Sequence, residues 1–175
     1  RAVRQKIGET QCDIACLQET KCSSFDSRTI RSFCPKRFDC FACSPSMGAS
    51  GGILVVWNSS IFVGTLIEVQ QFVVVIEFVS RQNNDKWTLV VVYGPSQGEA
   101  IDNFVTWLCN LHIPIEENWL LLGDFNFMRS LDNRNLPAGD LNYMFIFNEI
   151  IGCLGLLELP IKGRSFIWSN MQDTP

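Results

Sequence analysis

Two polar residues, Asp124 and Asn126, follow the apolar run Trp119–Leu122 and are separated by a single phenylalanine. Residues i and i+2 of an extended chain point the same way, so the spacing predicts that both side chains face one spot. The Asp offers a proton acceptor, and the Asn amide both donates and accepts hydrogen bonds. Such a pair suits a polar reaction centre, although the segment Gly123–Asn126 alone fits an ordinary turn after a strand equally well.

Two further strand ends carry polar groups. Glu19 follows an apolar segment that ends at Gln18, and Tyr93 ends the run Val90–Val92. Taken singly, these fit a surface carboxylate and a half-buried strand aromatic. Their coincidence with Asp124 favours an active site, because rigid strand ends position functional groups well.

The residue types at these ends indicate the chemistry. A Glu with an Asp and an Asn, without a His or Cys ligand set, is a hard-oxygen set that fits Mg²⁺ or Mn²⁺ rather than zinc. The natural substrate partner of such an ion is a phosphate, whose charge it neutralises while it helps to orient an attacking water.

Short β-branched runs and two helical stripes must hold these residues. Strands apolar on both faces must be covered twice, so we expect an α+β fold in which two mainly antiparallel sheets pack face to face with helices outside. A polar turn at 81–85 predicts a hairpin, Asp26 or Ser27 is expected to cap a helix, and Leu141, Met144, Phe145 and Ile150 are expected to face inward. The pattern predicts strands at 13–18, 38–42, 53–57, 62–69, 72–79, 87–93, 119–122 and 165–169, and helices at 1–10, 26–33, 99–111 and 140–151.

The composition is that of a globular protein. The 175 residues are 47% hydrophobic and 18% charged, which fits one domain over 1–175 with a sizeable core. No apolar run approaches the ~18 residues of a membrane span, and the basic start is not followed by a secretory stretch. Because the chain starts at Arg1 and not at Met, we expect it to begin inside a longer reading frame.

Charge and cysteines add weaker constraints. Residues 1–40 hold eight Lys and Arg against five Asp and Glu, whereas the remainder holds six against thirteen. This imbalance fits a phosphate-facing edge or simply a solvated surface. Six of the eight cysteines lie between Cys12 and Cys43. Without a secretory signal we interpret them as reduced, mostly buried thiols, since the lone pair Cys40 and Cys43 lacks a second zinc-binding pair.

Five segments in order carry a family resemblance. They are 17–21 (LQETK), 51–55 (GGILV), 92–95 (VYGP), 123–126 (GDFN) and 166–169 (FIWS). With these segments the chain resembles the endonuclease/exonuclease/phosphatase superfamily, which includes deoxyribonuclease I and the apurinic/apyrimidinic endonucleases. Through the runs 123–135 and 155–171 it is most similar to the endonuclease domain of plant non-LTR (LINE-type) retrotransposon polyproteins.

The resemblance implies a function for each matching residue. Glu19 is implied to bind Mg²⁺ (or Mn²⁺), Tyr93 to contact the phosphate, Asp124 to activate or position the water, and Asn126 to orient the phosphate and stabilise the transition state. The implied reaction is in-line hydrolysis of a DNA phosphodiester that leaves a 3′-hydroxyl, and the implied fold is a four-layer α/β sandwich. Trp168 is expected to be structural.

The resemblance also implies a biological setting. The nick would prime reverse transcription, with DNA and the reverse transcriptase region of the same polyprotein as partners. We expect a monomer without a membrane partner, and a nuclear location is implied only by the resemblance.

The chain departs from the family pattern at both ends. The family has an Asn on a first strand upstream of Arg1, and an Asp and an Asp-His pair beyond Pro175. His112 precedes the segment Gly123–Asn126 and cannot be the catalytic His in chain order, so we expect it to be an exposed or helix-end residue. Because these strands and site residues are missing, we expect a domain truncated at both ends. Catalytic groups act as a unit, so we expect it to have little or no activity.

Two other functions remain open from the sequence. The same fold could act on a phosphoinositide or sphingomyelin headgroup, although the motifs typical of those enzymes are not found in the chain. Alternatively, the chain could be a non-catalytic module that binds a partner. Retention of Glu19, Asp124 and Asn126 argues against this second alternative, because a binding module would not need all three.

Overall fold

The computed structural model describes residues 2–46, 51–112, 114, 117–131 and 141–159. The strand expected at 165–169 lies outside the described residues, as do positions 47–50 and Asp140. The described elements are α1 (Ala2–Glu9), β1 (Ile14–Gln18), α2 (Ser27–Phe33), β2 (Cys40–Ser44), β3 (Ile53–Trp57), β4 (Phe62–Gln70), β5 (Val73–Ser80), β6 (Lys86–Tyr93), α3 (Ala100–Asn110), β7 (Asn118–Asp124) and α4 (Leu141–Cys153).

The strands form two sheets. The first has the order β1-β3-β2 and is antiparallel throughout, and the second has the order β4-β5-β6-β7. In the second sheet β4, β5 and β6 run antiparallel, whereas β6 and β7 pair in parallel because α3 carries the chain back between them. The expected α+β fold with mainly antiparallel sheets is confirmed.

The two-faced strands explain the layered architecture. Val55 of β3 and Phe78 of β5 belong to a core between the two sheets. The opposite face of β3 packs with Ile7 of α1 and Ile30 of α2. The opposite faces of β5 and β6 pack with α3 and α4, where Phe104 is completely buried. Helices, sheet, sheet and helices therefore form four layers with three apolar interfaces, as alternation along the strands requires.

The local signals at turns and caps work as expected. The turn between β5 and β6 is closed by a hydrogen bond from Ser80 N to Asp85 O at 2.9 Å, which confirms the hairpin. Asp26 is the N-cap of α2, and its carboxylate accepts a hydrogen bond from Thr29 N at 2.7 Å.

The predicted inward face of α4 is wrong for two of its four residues. Leu141 and Phe145 are 48% and 62% exposed, whereas Ile150 is buried as expected. The buried stripe also includes Phe147, which lies about 200° around the helix from Phe145. Because α4 is apolar on several sides, its sequence fits more than one inward face, and the packing against α3 decides between them.

No helix among the described residues is long and apolar enough to cross a membrane.

Candidate active site

The three predicted strand ends meet at one edge of the sandwich. Glu19 follows β1 of the first sheet, while Tyr93 and Asp124 end β6 and β7 of the second sheet and are register partners. Tyr93 Oη donates a hydrogen bond to Glu19 Oε1 at 2.6 Å. The convergence expected from the sequence therefore exists, and it spans both sheets.

Backbone contacts set the orientation of Glu19. Its φ of 51° lies in the left-handed region, so the chain turns sharply as it leaves β1. The next two amides, of Thr20 and Lys21, donate to the carbonyls of Gly52 and Gly51 at 3.3 and 3.2 Å. The loop before β3 therefore holds the turn that presents Glu19.

The two glycines of this loop are needed for space and for backbone conformation. Their φ angles are 80° for Gly51 and 93° for Gly52, and a Cβ at Gly52 would collide with Thr20 Oγ1. A Cβ at Gly51 would lie 4.0 Å from the Tyr93 ring. Gly51 and Gly52 therefore lie against the turn that follows Glu19 and near the ring of Tyr93. The sequence indicates their segment, 51–55, only through its family resemblance.

Tyr93 is held in its protonated form. Burial, the hydrogen bond to Glu19 and the negative charges of Glu19 and Asp124 raise the pKa of Tyr93 to about 12. Its phenol is therefore a hydrogen-bond donor at neutral pH. The influence of both carboxylates also shows that Glu19 and Asp124 lie near the same phenol.

A turn, and not strand alternation, brings Asn126 next to Asp124. β7 ends at Asp124, and Asn126 has a left-handed φ of 54°. Asn126 N donates to Asp124 Oδ1 at 2.9 Å, and Asn126 Nδ2 donates to Gly94 O at 2.6 Å. The Asp124 carboxylate is thus bound by the backbone of Asn126, while the Asn126 side chain bonds Gly94, so the i, i+2 spacing of an extended chain does not describe the pair. Asn tolerates this conformation better than most residues.

Gln18 belongs to the same site, although the sequence marks it only as part of the segment 17–21. Its Oε1 accepts a hydrogen bond from Asp124 N at 3.1 Å, and its Nε2 donates to Val92 O. No property of Gln18 in the sequence indicates these contacts, because their partners lie 106 and 74 residues further along the chain.

Aromatic packing and one polar clasp anchor the loop after β7. Phe125 and Phe127 pack on Phe147 of α4, with ring centroids 5.2 and 5.5 Å apart. Arg129 Nε donates to Asn148 Oδ1 at 3.1 Å, and Asn148 Nδ2 donates back to Arg129 O at 2.9 Å. The outer helix layer therefore supports the loop that carries Asn126.

The donor set fits a hard divalent cation by type. Glu19 Oε1 and Asp124 Oδ1 accept hydrogen bonds, and their second carboxylate oxygens have no hydrogen-bond partner among the described residues. The described ranges contain no cluster of three or more His, Cys, Asp or Glu side chains that could hold a metal. Mg²⁺ is usually bound through one or two carboxylates while it keeps several waters, so a site of this size suits it.

The cysteines and the histidine lie apart from this chemistry. All eight cysteines are free, but the expectation that most of them are buried is wrong: Cys34 is buried, five are half-buried, and Cys109 and Cys153 are exposed. Partial burial raises the pKa of Cys16 to about 12, which marks it as an inert thiol. His112 is exposed just beyond the end of α3, as expected.

The sequence matches the model of the Endonuclease/Exonuclease/phosphatase family over residues 1–171. The chain therefore belongs to this family. No curated protein matches the sequence.

Several solved structures share the fold. The AP endonuclease LMAP from Leishmania major is 15% identical with a TM-score of 0.62, over 87% of this chain and 60% of that one. The catalytic domain of Xenopus laevis APE2 is 16% identical with a TM-score of 0.58, over 87% and 62%. D. rerio TDP2 complexed with a single-strand DNA product is 14% identical with a TM-score of 0.50, over 90% and 58%. The chain thus spans about three fifths of the length of these structures.

Proposed function

We propose that this member of the endonuclease/exonuclease/phosphatase family carries the core of a divalent-metal-dependent phosphodiesterase that nicks DNA. One observation supports this more than any other. Glu19, Tyr93 and Asp124 come from three different strand ends, and the hydrogen bond from Tyr93 to Glu19 together with the register of Tyr93 and Asp124 brings them to one edge. Such an acidic site with a protonated phenol is suited to a metal ion and a phosphodiester.

The side chains of Glu19 and Tyr93 can each perform the function that we propose for them. Glu19 would hold the ion through the carboxylate oxygen that Tyr93 leaves unused. The ion would be Mg²⁺ or Mn²⁺, and it would neutralise phosphoryl charge. Tyr93 stays protonated with its raised pKa of about 12, and its single O–H, which bonds Glu19 in the free chain, would turn to a phosphate oxygen when the substrate binds.

Asp124 and Asn126 would act on the water and the phosphate. Asp124 is exposed and would accept the proton of a water that attacks phosphorus as the bond to the 3′ oxygen breaks, and the released 3′ oxygen would take a proton from solvent. Asn126 spends one N–H on Gly94 O, so its second N–H and its carbonyl oxygen are left to orient the phosphate. The products would be a 3′-hydroxyl and a 5′-phosphate.

The biological setting that we propose is a plant LINE-type retroelement. The nick would prime reverse transcription in the nucleus, with the reverse transcriptase region of the same polyprotein as partner. The likeness of the segments 123–135 and 155–171 to the endonuclease domain of plant LINE-type polyproteins supports this setting.

A plasmid-nicking assay with Mg²⁺ tests the proposal on this chain and on a version extended through the flanking reading frame at both ends. We expect the extended chain to convert supercoiled plasmid to open circle, and this chain to do so weakly or not at all. EDTA should abolish nicking. Asp124→Asn should lower kcat at least about 100-fold, since it removes the proton acceptor.

Two glutamate variants distinguish metal binding by Glu19 from the general effect of removing a negative charge. Glu19→Ala should weaken Mn²⁺ binding in a titration, whereas Glu9→Ala should not, because Glu9 is an exposed glutamate on α1 whose carboxylate accepts a hydrogen bond from Gln5 of the same helix. Nicking that survives Asp124→Asn would contradict the proposal. If neither chain nicks DNA but Mn²⁺ still binds through Glu19, cleavage of a phosphorylated lipid headgroup becomes the better explanation. If neither chain nicks DNA and Mn²⁺ does not bind through Glu19, a non-catalytic binding module becomes the better explanation.

A further inference from the structure

The side chain of Gln18 crosses the gap between the two sheets beside the candidate site. Ile14 and Cys16, on the same face of β1, pack against the core between the sheets, so strand alternation points Gln18 toward the second sheet. There it contacts the backbones of both β6 and β7. One carboxamide therefore links three strands from two sheets.

The side chain of Gln18 bonds the N–H of Asp124 and the carbonyl of Val92, two groups that a regular parallel ladder would join to each other. In a parallel ladder, one residue of a register pair bonds to both neighbours of its partner. Tyr93 and Asp124 are such a pair, and Gly94 N already donates to Asp124 O at 2.8 Å. The regular pattern would therefore direct Asp124 N toward Val92 O, and the Gln18 carboxamide offers an acceptor to the first group and a donor to the second.

Gly123 makes room for this arrangement. Its φ is 139°, which side-chain-bearing residues rarely adopt. A Cβ at this position would collide with both Val92 O and Gln18 Nε2. The glycine that precedes Asp124 is thus required by the same contact that brings Gln18 to the strand ends.

We propose that Gln18 is a positioning residue that fixes Glu19 relative to Tyr93 and Asp124. It precedes Glu19 in sequence, its Nε2 binds the carbonyl of the residue before Tyr93, and its Oε1 binds the amide of Asp124. The position of each site residue is thereby tied to the same rigid amide group. This inference rests on the proposed function for its catalytic consequence, but its geometric part is independent of that function.

Amide exchange measured by NMR tests the geometric part. In Gln18→Met, which keeps the length of the side chain and removes its hydrogen bonds, the Asp124 amide should exchange at least about tenfold faster. The amide of Leu120, which faces β6 in the same ladder as Asp124 but four residues earlier, should be unchanged. Gln70→Met is the matched control, because Gln70 also ends a strand, and among the described residues its side chain bonds only the half-buried Glu68 of the same strand.

A second variant separates the two hydrogen bonds. Gln18→Glu keeps an acceptor for the Asp124 amide but presents an oxygen to Val92 O in place of an N–H. We expect the Asp124 amide to stay protected in this variant while Mn²⁺ binding and nicking fall. Should Gln18→Met fail to fold, Gln18→Glu still decides the question through Mn²⁺ affinity compared with Gln70→Met.

Kinetics of the extended chain tests the catalytic part. Gln18→Met should lower kcat at least about tenfold with little change in KM, because the groups are misplaced and none that touches substrate is removed. Unchanged exchange at Asp124 in Gln18→Met would overturn the inference, whatever the kinetics. If the wild-type extended chain does not nick DNA but Asp124 exchange responds as expected, the positioning holds and the proposed function fails.

Discussion

At the scale of single residues, the hydrogen bond from Tyr93 to Glu19 connects the first sheet to the second at the candidate site. Tyr93 Oη and Glu19 Oε1 are 2.6 Å apart, and Glu19 is exposed to solvent. Removal of the hydroxyl would therefore leave a carboxylate that water can still solvate. Its energetic contribution to folding should be small, so its main effect should be on the orientation of Glu19.

Tyr93→Phe tests this assignment. We expect a change in stability of at most about 1 kcal/mol, since the partner carboxylate stays hydrated. Nicking by the extended chain should fall at least about tenfold, because Glu19 loses the contact that orients it and the bound phosphate loses the donor that Tyr93 would turn toward it. Tyr143→Phe is the control, because Tyr143 also donates to a carboxylate, that of Asp102 on α3, at 3.3 Å. Equal losses of activity in the two variants would contradict a particular function for Tyr93.

At the scale of elements, the local sequence predicts where the elements lie along the chain better than it predicts which of their faces are buried. The bounds of β3 match the prediction because five apolar residues in a row must be buried on both faces. β7 extends two residues past the expected end, through Gly123, a residue type that strands disfavour. The exposed positions of Leu141 and Phe145 could not be predicted, since α4 is apolar on several sides, and its packing against α3, the second sheet and the loop after β7 selects the buried face.

The site shows the same division between local and tertiary information. Glu19, Tyr93, Asp124 and Asn126 could be singled out because polar residues stand out where apolar strands end. The bridging position of Gln18 could not, because its partners are backbone groups, which every residue has.

The cap of α2 gives a prediction for a single element. The hydrogen bonds from Thr29 hold the pKa of Asp26 below its usual value of 3.8. A lowered folded-state pKa contributes stability above the unfolded-state pKa, and this contribution is lost as the pH falls through the folded-state pKa. Asp26→Ala should therefore lower the melting temperature at neutral pH, and the difference from wild type should shrink in acid.

Asp26→Asn is the matched control, because Asn caps helices well without a charge that titrates in this range. It should keep most of the neutral-pH stability. The pKa of Asp39 is also lowered, by hydrogen bonds from Ser59, and this contribution is common to all three proteins and cancels in the comparison. A difference between Asp26→Ala and wild type that does not change with pH would show that the carboxylate of Asp26 is not the stabilising group.

At the scale of the whole molecule, the core between the sheets holds together the two sheets that carry the site residues. Glu19 follows a strand of one sheet, and Tyr93 and Asp124 end strands of the other. Phe78 lies in this core and is completely buried. Its ring is 5.5 Å from Trp57 of the first sheet and 5.2 Å from Trp87 of its own.

Phe78→Ala should destabilise the fold by about 3–5 kcal/mol, because it opens a large cavity between the sheets. Phe145→Ala, at a position that is 62% exposed, should change the stability by no more than about 0.5 kcal/mol. Phe78 pairs with Trp87 near the start of β6, six residues and so about 20 Å from Tyr93 at its end. In urea titrations we therefore expect a lower unfolding midpoint for Phe78→Ala, while the molecules that remain folded bind Mn²⁺ with unchanged affinity. A weakened Mn²⁺ affinity in the folded variant would mean that the far end of the sandwich also sets the geometry of the site, and that the contacts of Gln18 do not suffice to hold the strand ends together.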